Sequence, residues 1–264
     1  MPINQLTAEG FGMLSGSGGA SFTGLLDLYP NAAAAYSVRR LSSTYEGSAM
    51  EVRIDTVGQP LYDIGFDENG DLDTADLISK AAGNDAFVRT WYDQSGNGND
   101  VTQTTTAYQP EIVISGAYLG YLQTLPVFGN MTSSYAYING NAYSSFSYFQ
   151  NSGSRCIIGG TNSGPSYYAL GQSGSTLASA AGFSIQSYYK NGVEIGTTRN
   201  DIFTETLSFS QFSLLITSIN TNNLAIGYTG AAYNNNRFKE FILYPNQTVS
   251  RIDVENNQID YYGV

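Results

Sequence analysis

The segment Tyr188-Tyr-Lys-Asn-Gly-Val-Glu-Ile195 constrains the fold of this chain more than any other. Asn191-Gly192 supplies two adjacent residues that tolerate positive φ, which a two-residue type I′ turn requires, and strand-forming residues flank it. A β-hairpin is predicted there. Short strand-like runs recur at 51–55, 87–92, 112–115, 156–158, 166–170, 183–190, 193–195, 212–219, 224–228 and 238–244, punctuated by Gly and Asn. That spacing predicts a β-sandwich or barrel. No repeat of about 20–50 residues is visible, which disfavours solenoids and propellers.

The chain has 264 residues, room for one large sandwich or for two domains. From Leu25 onward no stretch has the sustained Pro, Gly and Ser bias of a linker, so one domain is expected over 25–264. Residues 1–24 end in a Gly/Ser run at 15–21 that reads as flexible. Ile3, Leu6, Phe11, Met13 and Leu14 precede it as apolar anchors. This segment is either a disordered terminus or an arm that docks on a partner subunit.

Two short helices are predicted within the all-β frame. In Asp73-Thr-Ala-Asp76, Asp73 caps and Asp76 takes the capping-box position, with Gly83 suited to the C′ position. A second helix follows Ser250, with Asp253 three residues on and Ile252 and Ile259 on one face. Asp67-Glu-Asn-Gly-Asp71 has alternating oxygens, yet Gly70 stands fourth instead of sixth and Ile78 occupies the twelfth place, where an EF-hand needs Glu. It reads as a turn into the first helix, with a Ca²⁺ loop as the alternative and no other cofactor expected.

Composition removes whole classes of chemistry. The chain has no His, so Ser-His-Asp and Cys-His sites, His-ligated zinc and imidazole acid–base catalysis are excluded. Catalysis would rest on carboxylates, Tyr or Lys. A formal charge of −11 has the wrong sign for nucleic acid. The single Cys156 forms no internal disulfide and reads as a buried thiol. The opening residues lack the pattern of a signal peptide, and no run of about 18 apolar residues suggests a membrane span.

Trp91-Tyr-Asp-Gln-Ser-Gly-Asn-Gly-Asn-Asp100 is the most unusual segment, an apolar strand followed by residues suited to Asx turns and left-handed positions. Together with Tyr36-Ser-Val-Arg-Arg-Leu41, Tyr45-Glu-Gly47, Val52-Arg53 and Asp63-Ile-Gly65, it resembles the catalytic domain of the fungal arabinofuranosidase B family. The same string occurs in phage and bacterial surface proteins of the concanavalin A-like or laminin-G-like type. The resemblance is strong over 25–114 and general beyond. It implies a concanavalin A-like jelly-roll β-sandwich with a face suited to saccharides. Trp91, Tyr92, Asp93, Asn97, Asn99 and Tyr45 are its candidate ligand contacts, by stacking and hydrogen bonding, with an Asx-turn role as the alternative for Asp93. Arg39 and Arg40 are expected to pair with Asp63 or Asp93.

The catalytic pattern of that family is missing. Retaining hydrolysis uses two carboxylates about 5 Å apart, and no Asp or Glu occurs between Glu111 and Glu194. The segment 227–236, which corresponds to the family's acid segment, has none either, and the family's adjacent cysteine pair is absent. Glu194, Asp201 and Glu205 read as solvated surface. The expectation is therefore a non-enzymatic phage virion structural protein at the virion surface: a capsid decoration, head-fibre or tail-fibre protein, oligomeric, binding other virion proteins and glycans. An arabinofuranosidase-like hydrolase with carboxylates from unexpected positions, and a ligand-free structural module, are the alternatives.

Overall fold

A computed structural model describes residues 22–123, 131–133, 143–151, 155–160, 168–171, 183–196, 198–205, 207–219, 224–226, 236–245 and 249–263. The anchors Ile3, Leu6, Phe11, Met13 and Leu14 lie outside them, as do the side chain of Cys156 and most of 227–236. The strands form a two-sheet antiparallel β-sandwich that does not close into a barrel.

One set of pairings joins the two ends of the described chain. The Asn236–Tyr244 strand pairs with Ala34–Ser37 near the N-terminus and with Tyr143–Asn151, which continues to Ser210–Ile219 and then Phe183–Lys190. Another set places Met50–Ile54 between Leu61–Ile64 and Ala86–Trp91. The main core includes Tyr36, Trp91, Phe212, Phe238 and Phe241. Successive residues of a strand point to opposite faces. Phe241 and Leu243 accordingly enter this core, while Ile242 and Tyr244 enter a second cluster with Leu25, Leu41 and Val254. That alternation is why the run 241–244 is buried throughout.

The hairpin forms as predicted: Asn191 and Gly192 have φ of 46° and 80°, and Lys190 faces Val193 across the turn. Asp73 caps the Thr74–Ala81 helix by accepting from Asp76 N–H at 2.9 Å, and the chain leaves it through left-handed Ala82 and Gly83. Ser250 caps the Arg251–Tyr262 helix as predicted, and Ile252 is 56% exposed. The buried side is Val254, Glu255 and Gln258, because this helix packs largely on polar groups of the sheet. Two further helices, Leu25–Leu28 and Arg199–Glu205, were not predicted. Nor were Ala34–Ser37 and Ala117–Gln123, the first rich in Ala and the second interrupted by Gly120 at φ 80°; both lack the β-branched signature of a strand.

Arg39 corrects a second expectation. It pairs with neither Asp63 nor Asp93 but with Glu240, Nε to Oε2 at 2.7 Å and Nη2 to Oε1 at 3.0 Å. Ser37, Gln258 and Tyr262 also donate to this carboxylate, at 2.7, 2.9 and 3.1 Å. Arg40 instead lies over the Phe22 ring at 4.0 Å. Burial pushes the Glu240 carboxyl up, but the Arg39 charge and these hydrogen bonds outweigh it and hold it below the ordinary carboxylate range. Glu240 is fully buried and Arg39 is 7% exposed, so removing either partner strands a charge in the interior.

Two outcomes follow from these contacts. Gly192→Val forces a β-branched residue into the left-handed region and lowers stability by about 1–2 kcal/mol, read as a shift in the urea midpoint. Glu240→Gln costs about 3–5 kcal/mol at neutral pH. Because the folded carboxyl is depressed, its contribution is complete above the unfolded value of about 4.3 and lost as pH falls through the folded one. Urea melts from pH 7 down to pH 3 therefore show a steeper loss of stability in the wild type than in Glu240→Gln.

Candidate functional site

The unusual segment after Trp91 turns inward. Trp91 is 1% exposed and packs at 5.7 Å from Tyr36, with its indole N–H directed at the Ser37 carbonyl. Asp93, 4% exposed, accepts from the backbone N–H groups of Ala35, Ser95 and Asn99 and from the Ser95 hydroxyl, at 2.7–3.0 Å. Gln94 accepts from Leu41 N–H and donates to the carbonyls of Ser37 and Arg39. Asn97 and Asn99 donate to the carbonyls of Ala32 and Ala33, and Tyr36 donates to that of Asn99. These groups satisfy buried backbone, as interior polar groups must. Trp91 and Asp93 are core, and the Asx-turn reading of Asp93 holds.

Tyr92 and Tyr45 stay nearer the surface. Tyr92 donates to Asp63 at 2.7 Å; burial, then this hydrogen bond, push its hydroxyl well above the ordinary tyrosine value. Tyr45 donates to the Ser48 carbonyl at 2.8 Å, and burial, with the charges of Asp100 and Asp93, pushes it up to about 12. Tyr45 lines a cavity of about 200 Å³ with Leu26, Asn31 and Ser95. The Asp67 loop is a turn: Oδ1 of Asp67 accepts from the N–H groups of Asn69 and Asp71. Among the described residues no group of three or more acidic, Cys or His side chains is placed to hold a metal ion.

A larger cleft, of about 630 Å³, opens beside the Asn191-Gly192 hairpin and gathers Lys190, Glu194, Asn200, Asp201, Thr204 and Glu205. The expectation of solvated carboxylates holds, since Glu194 is exposed and the Glu205 side chain is 42% exposed, but 201–205, expected to be a polar connection, is part of a helix. The missed signal is Thr198-Arg-Asn-Asp201, a capping box that starts the Arg199–Glu205 helix. Thr198 N–H donates to Asp201 Oδ2 at 3.0 Å and Asp201 N–H donates to Thr198 Oγ1 at 3.2 Å. The Thr198 hydrogen bonds hold the Asp201 carboxyl below the ordinary carboxylate range. Asp201 and Glu205 stand four apart on one helix face, a spacing that sets Cβ atoms about 5–6 Å from each other. Glu205 accepts from Lys190 Nζ at 3.1 Å. Glu194 enters from the hairpin's second strand and has no ion-pair partner among the described residues. Gly196 permits the approach, since a Cβ there would lie 2.1 Å from Asp201 Oδ2.

No family model matches this chain, and no curated protein matches it in sequence. Its fold is similar to that of a GH54 α-L-arabinofuranosidase solved after soaking with a cyclic sulfate inhibitor, and of a mutant of a GH54 enzyme soaked with 4-nitrophenyl α-L-arabinofuranoside. For each the TM-score is 0.58 at 15% identity over 86% of this chain. An arabinofuranosidase complexed with arabinofuranosyl-α-1,2-xylobiose aligns at a TM-score of 0.56 and 14% identity. The chain spans 61% of the length of these chains.

This likeness overturns the expectation of a dedicated non-enzymatic virion protein, and with it the capsid-decoration and fibre roles. The fold it shares over 86% of its length is that of solved arabinofuranosidases, so the missing family carboxylates do not settle the matter against an enzyme. Among the described residues no helix is long and apolar enough to cross a membrane.

Asp93→Ala unties four donors at once. With charge-assisted hydrogen bonds worth about 1.5–3 kcal/mol each and non-additive, the expected loss is at least about 3 kcal/mol of unfolding free energy in urea. Tyr92→Phe removes one exposed hydrogen bond and shifts stability by less than about 1 kcal/mol.

Proposed function

We propose that this chain is a glycan-acting domain of the concanavalin A-like jelly-roll type, a glycoside hydrolase directed at furanosides, with the hairpin cleft as its active site. The observation that carries this reading is the convergence of Glu194, Asp201 and Glu205 in one cleft of about 630 Å³ on an arabinofuranosidase-like fold. Glycoside hydrolysis needs one carboxyl to protonate the leaving oxygen and a second carboxylate as nucleophile or base, about 5–5.5 Å away for retention or 6.5–9.5 Å for inversion. This chain has no His, and the cleft offers three carboxylates for the two roles.

Roles follow from surroundings. Asp201, kept ionised by Thr198, is the nucleophile or base. Glu194, from the neighbouring strand, is assigned the donor role as the carboxyl outside the Thr198 and Lys190 contacts. Lys190 holds Glu205 beside them, and Asn200 and Thr204 offer amide and hydroxyl groups to sugar hydroxyls. Tyr45, on its separate cavity, is a further glycan contact.

The test is turnover of 4-nitrophenyl α-L-arabinofuranoside and of other aryl furanosides by the full chain. Wild type releases nitrophenol, and Asp201→Asn and Glu194→Gln each lower kcat by about 10²–10⁴ with melting temperatures that show a folded protein. No turnover of any aryl furanoside, or full activity in both variants, overturns the reading.

A further inference from the structure

A separate depression of about 280 Å³ shares no residue with the hairpin cleft. It brings together parts of the chain far apart in sequence: Asp71 from the turn before the first long helix, Tyr118 from the Ala117–Gln123 strand, Lys239 from the last strand, and Tyr261 and Tyr262 from the end of the C-terminal helix. Val38 and Leu72, joined by a 2.9 Å hydrogen bond from Leu72 N–H to the Val38 carbonyl, complete the apolar lining.

Tyr261 is the feature that asks for a ligand. It is 44% exposed, yet its ring is fixed on three sides. Its hydroxyl donates to Asp71 Oδ1, the Arg39 guanidinium lies 4.1 Å from its centroid, and Tyr262 meets it edge-on at 4.8 Å. An exposed aromatic ring already locked in place forfeits little side-chain entropy on binding. Its surroundings offer one carboxylate acceptor at Asp71, one ammonium donor at Lys239 and a hydroxyl at Thr74 that does both. The two charges cancel, which selects against a charged ligand, while the mixture of donors and acceptors suits vicinal hydroxyls. The volume lies at the small end of ligand sites and suits a single ring.

We propose that this depression is a second glycan-binding subsite, which holds one ring of a neutral oligosaccharide against Tyr261 and hydrogen-bonds its hydroxyls through Asp71, Thr74 and Lys239. The choice of sugar as ligand rests on the glycan reading above, but binding here needs no catalysis at the hairpin cleft. The arrangement anchors a glycan on a surface apart from the reacting carboxylates.

The experiment is calorimetric titration of the full chain with xylotriose, arabinotriose and cellotriose. At least one binds saturably. Tyr261→Ala weakens it about tenfold or more, Tyr261→Phe keeps most of the affinity, and Thr74→Trp, which plugs the depression from an exposed helix start, abolishes it. Thr74→Trp decides the matter if Tyr261→Ala does not fold. In the Asp201→Asn background, which stops turnover, a saturable isotherm remains that Thr74→Trp removes. No saturable binding of any of the three sugars, or wild-type affinity in Thr74→Trp, overturns the subsite. Binding lost in Asp201→Asn and kept in Thr74→Trp places the sugar in the hairpin cleft and likewise overturns it. Failure of aryl furanoside turnover with Thr74-sensitive sugar binding overturns the hydrolase reading alone.

Discussion

The Arg39–Glu240 pair is the interaction on which the described architecture turns. It ties the segment just after the Ala34–Ser37 strand to the Asn236–Tyr244 strand, and through Gln258 and Tyr262 it ties both to the C-terminal helix. A buried ion pair often stabilises no more than well-packed apolar residues would, since both charges lose their hydration. Its consequence here is positional. A planar guanidinium forked onto one carboxylate fits one geometry, and the first strand pairs with the last in the register Ala34 to Leu243 and Ser37 to Glu240. Arg39 also covers one face of Tyr261, so the same pair that fixes the register holds the aromatic surface of the proposed subsite.

A second polar device works alongside it. Asp93 and Gln94 lie just beyond the Ala86–Trp91 strand and hold the backbone at Ala35, Ser37, Arg39 and Leu41. An irregular loop carries backbone groups with no ladder partners, and side chains must supply them when the loop is buried. Carboxylate and amide side chains do so here, and the small Gly96 and Gly98 adopt the positive φ that folds the loop tightly. This loop is scaffold. This motif pointed to the fold, and its Asp93, Gln94 and Asn99 side chains hold the backbone.

The proposed chemistry lies on another part of the chain. The Asn191-Gly192 hairpin presents Glu194 from a strand, and the following turn and short helix present Asp201 and Glu205. A rigid hairpin and a capped helix are better platforms for placed carboxylates than a free loop, because their backbone is already ordered. On the proposed reading these acids serve a fold like that of solved arabinofuranosidases from positions other than those of the resembled family.

The sequence by itself determined the features that depend on neighbours along the chain. The hairpin is fixed by the φ demands of Asn191-Gly192, and the caps at Asp73 and Ser250 by side chains that reach N–H groups three residues on. The sandwich class follows from short runs of β-prone residues, and the motif residues 92–99 pointed to its relatives in fold. Tertiary structure alone decided the rest. Arg39 chose Glu240, 201 residues away, over the nearer Asp63 and Asp93. Ala34–Ser37 became a strand despite weak propensity because the last strand lies beside it. Glu194, Asp201 and Glu205 are surface carboxylates as their sequence context suggests, and they line one cleft because a hairpin and a helix stand side by side. Pairings over such separations are set by packing and by the satisfaction of buried polar groups across the whole core, which no local pattern encodes.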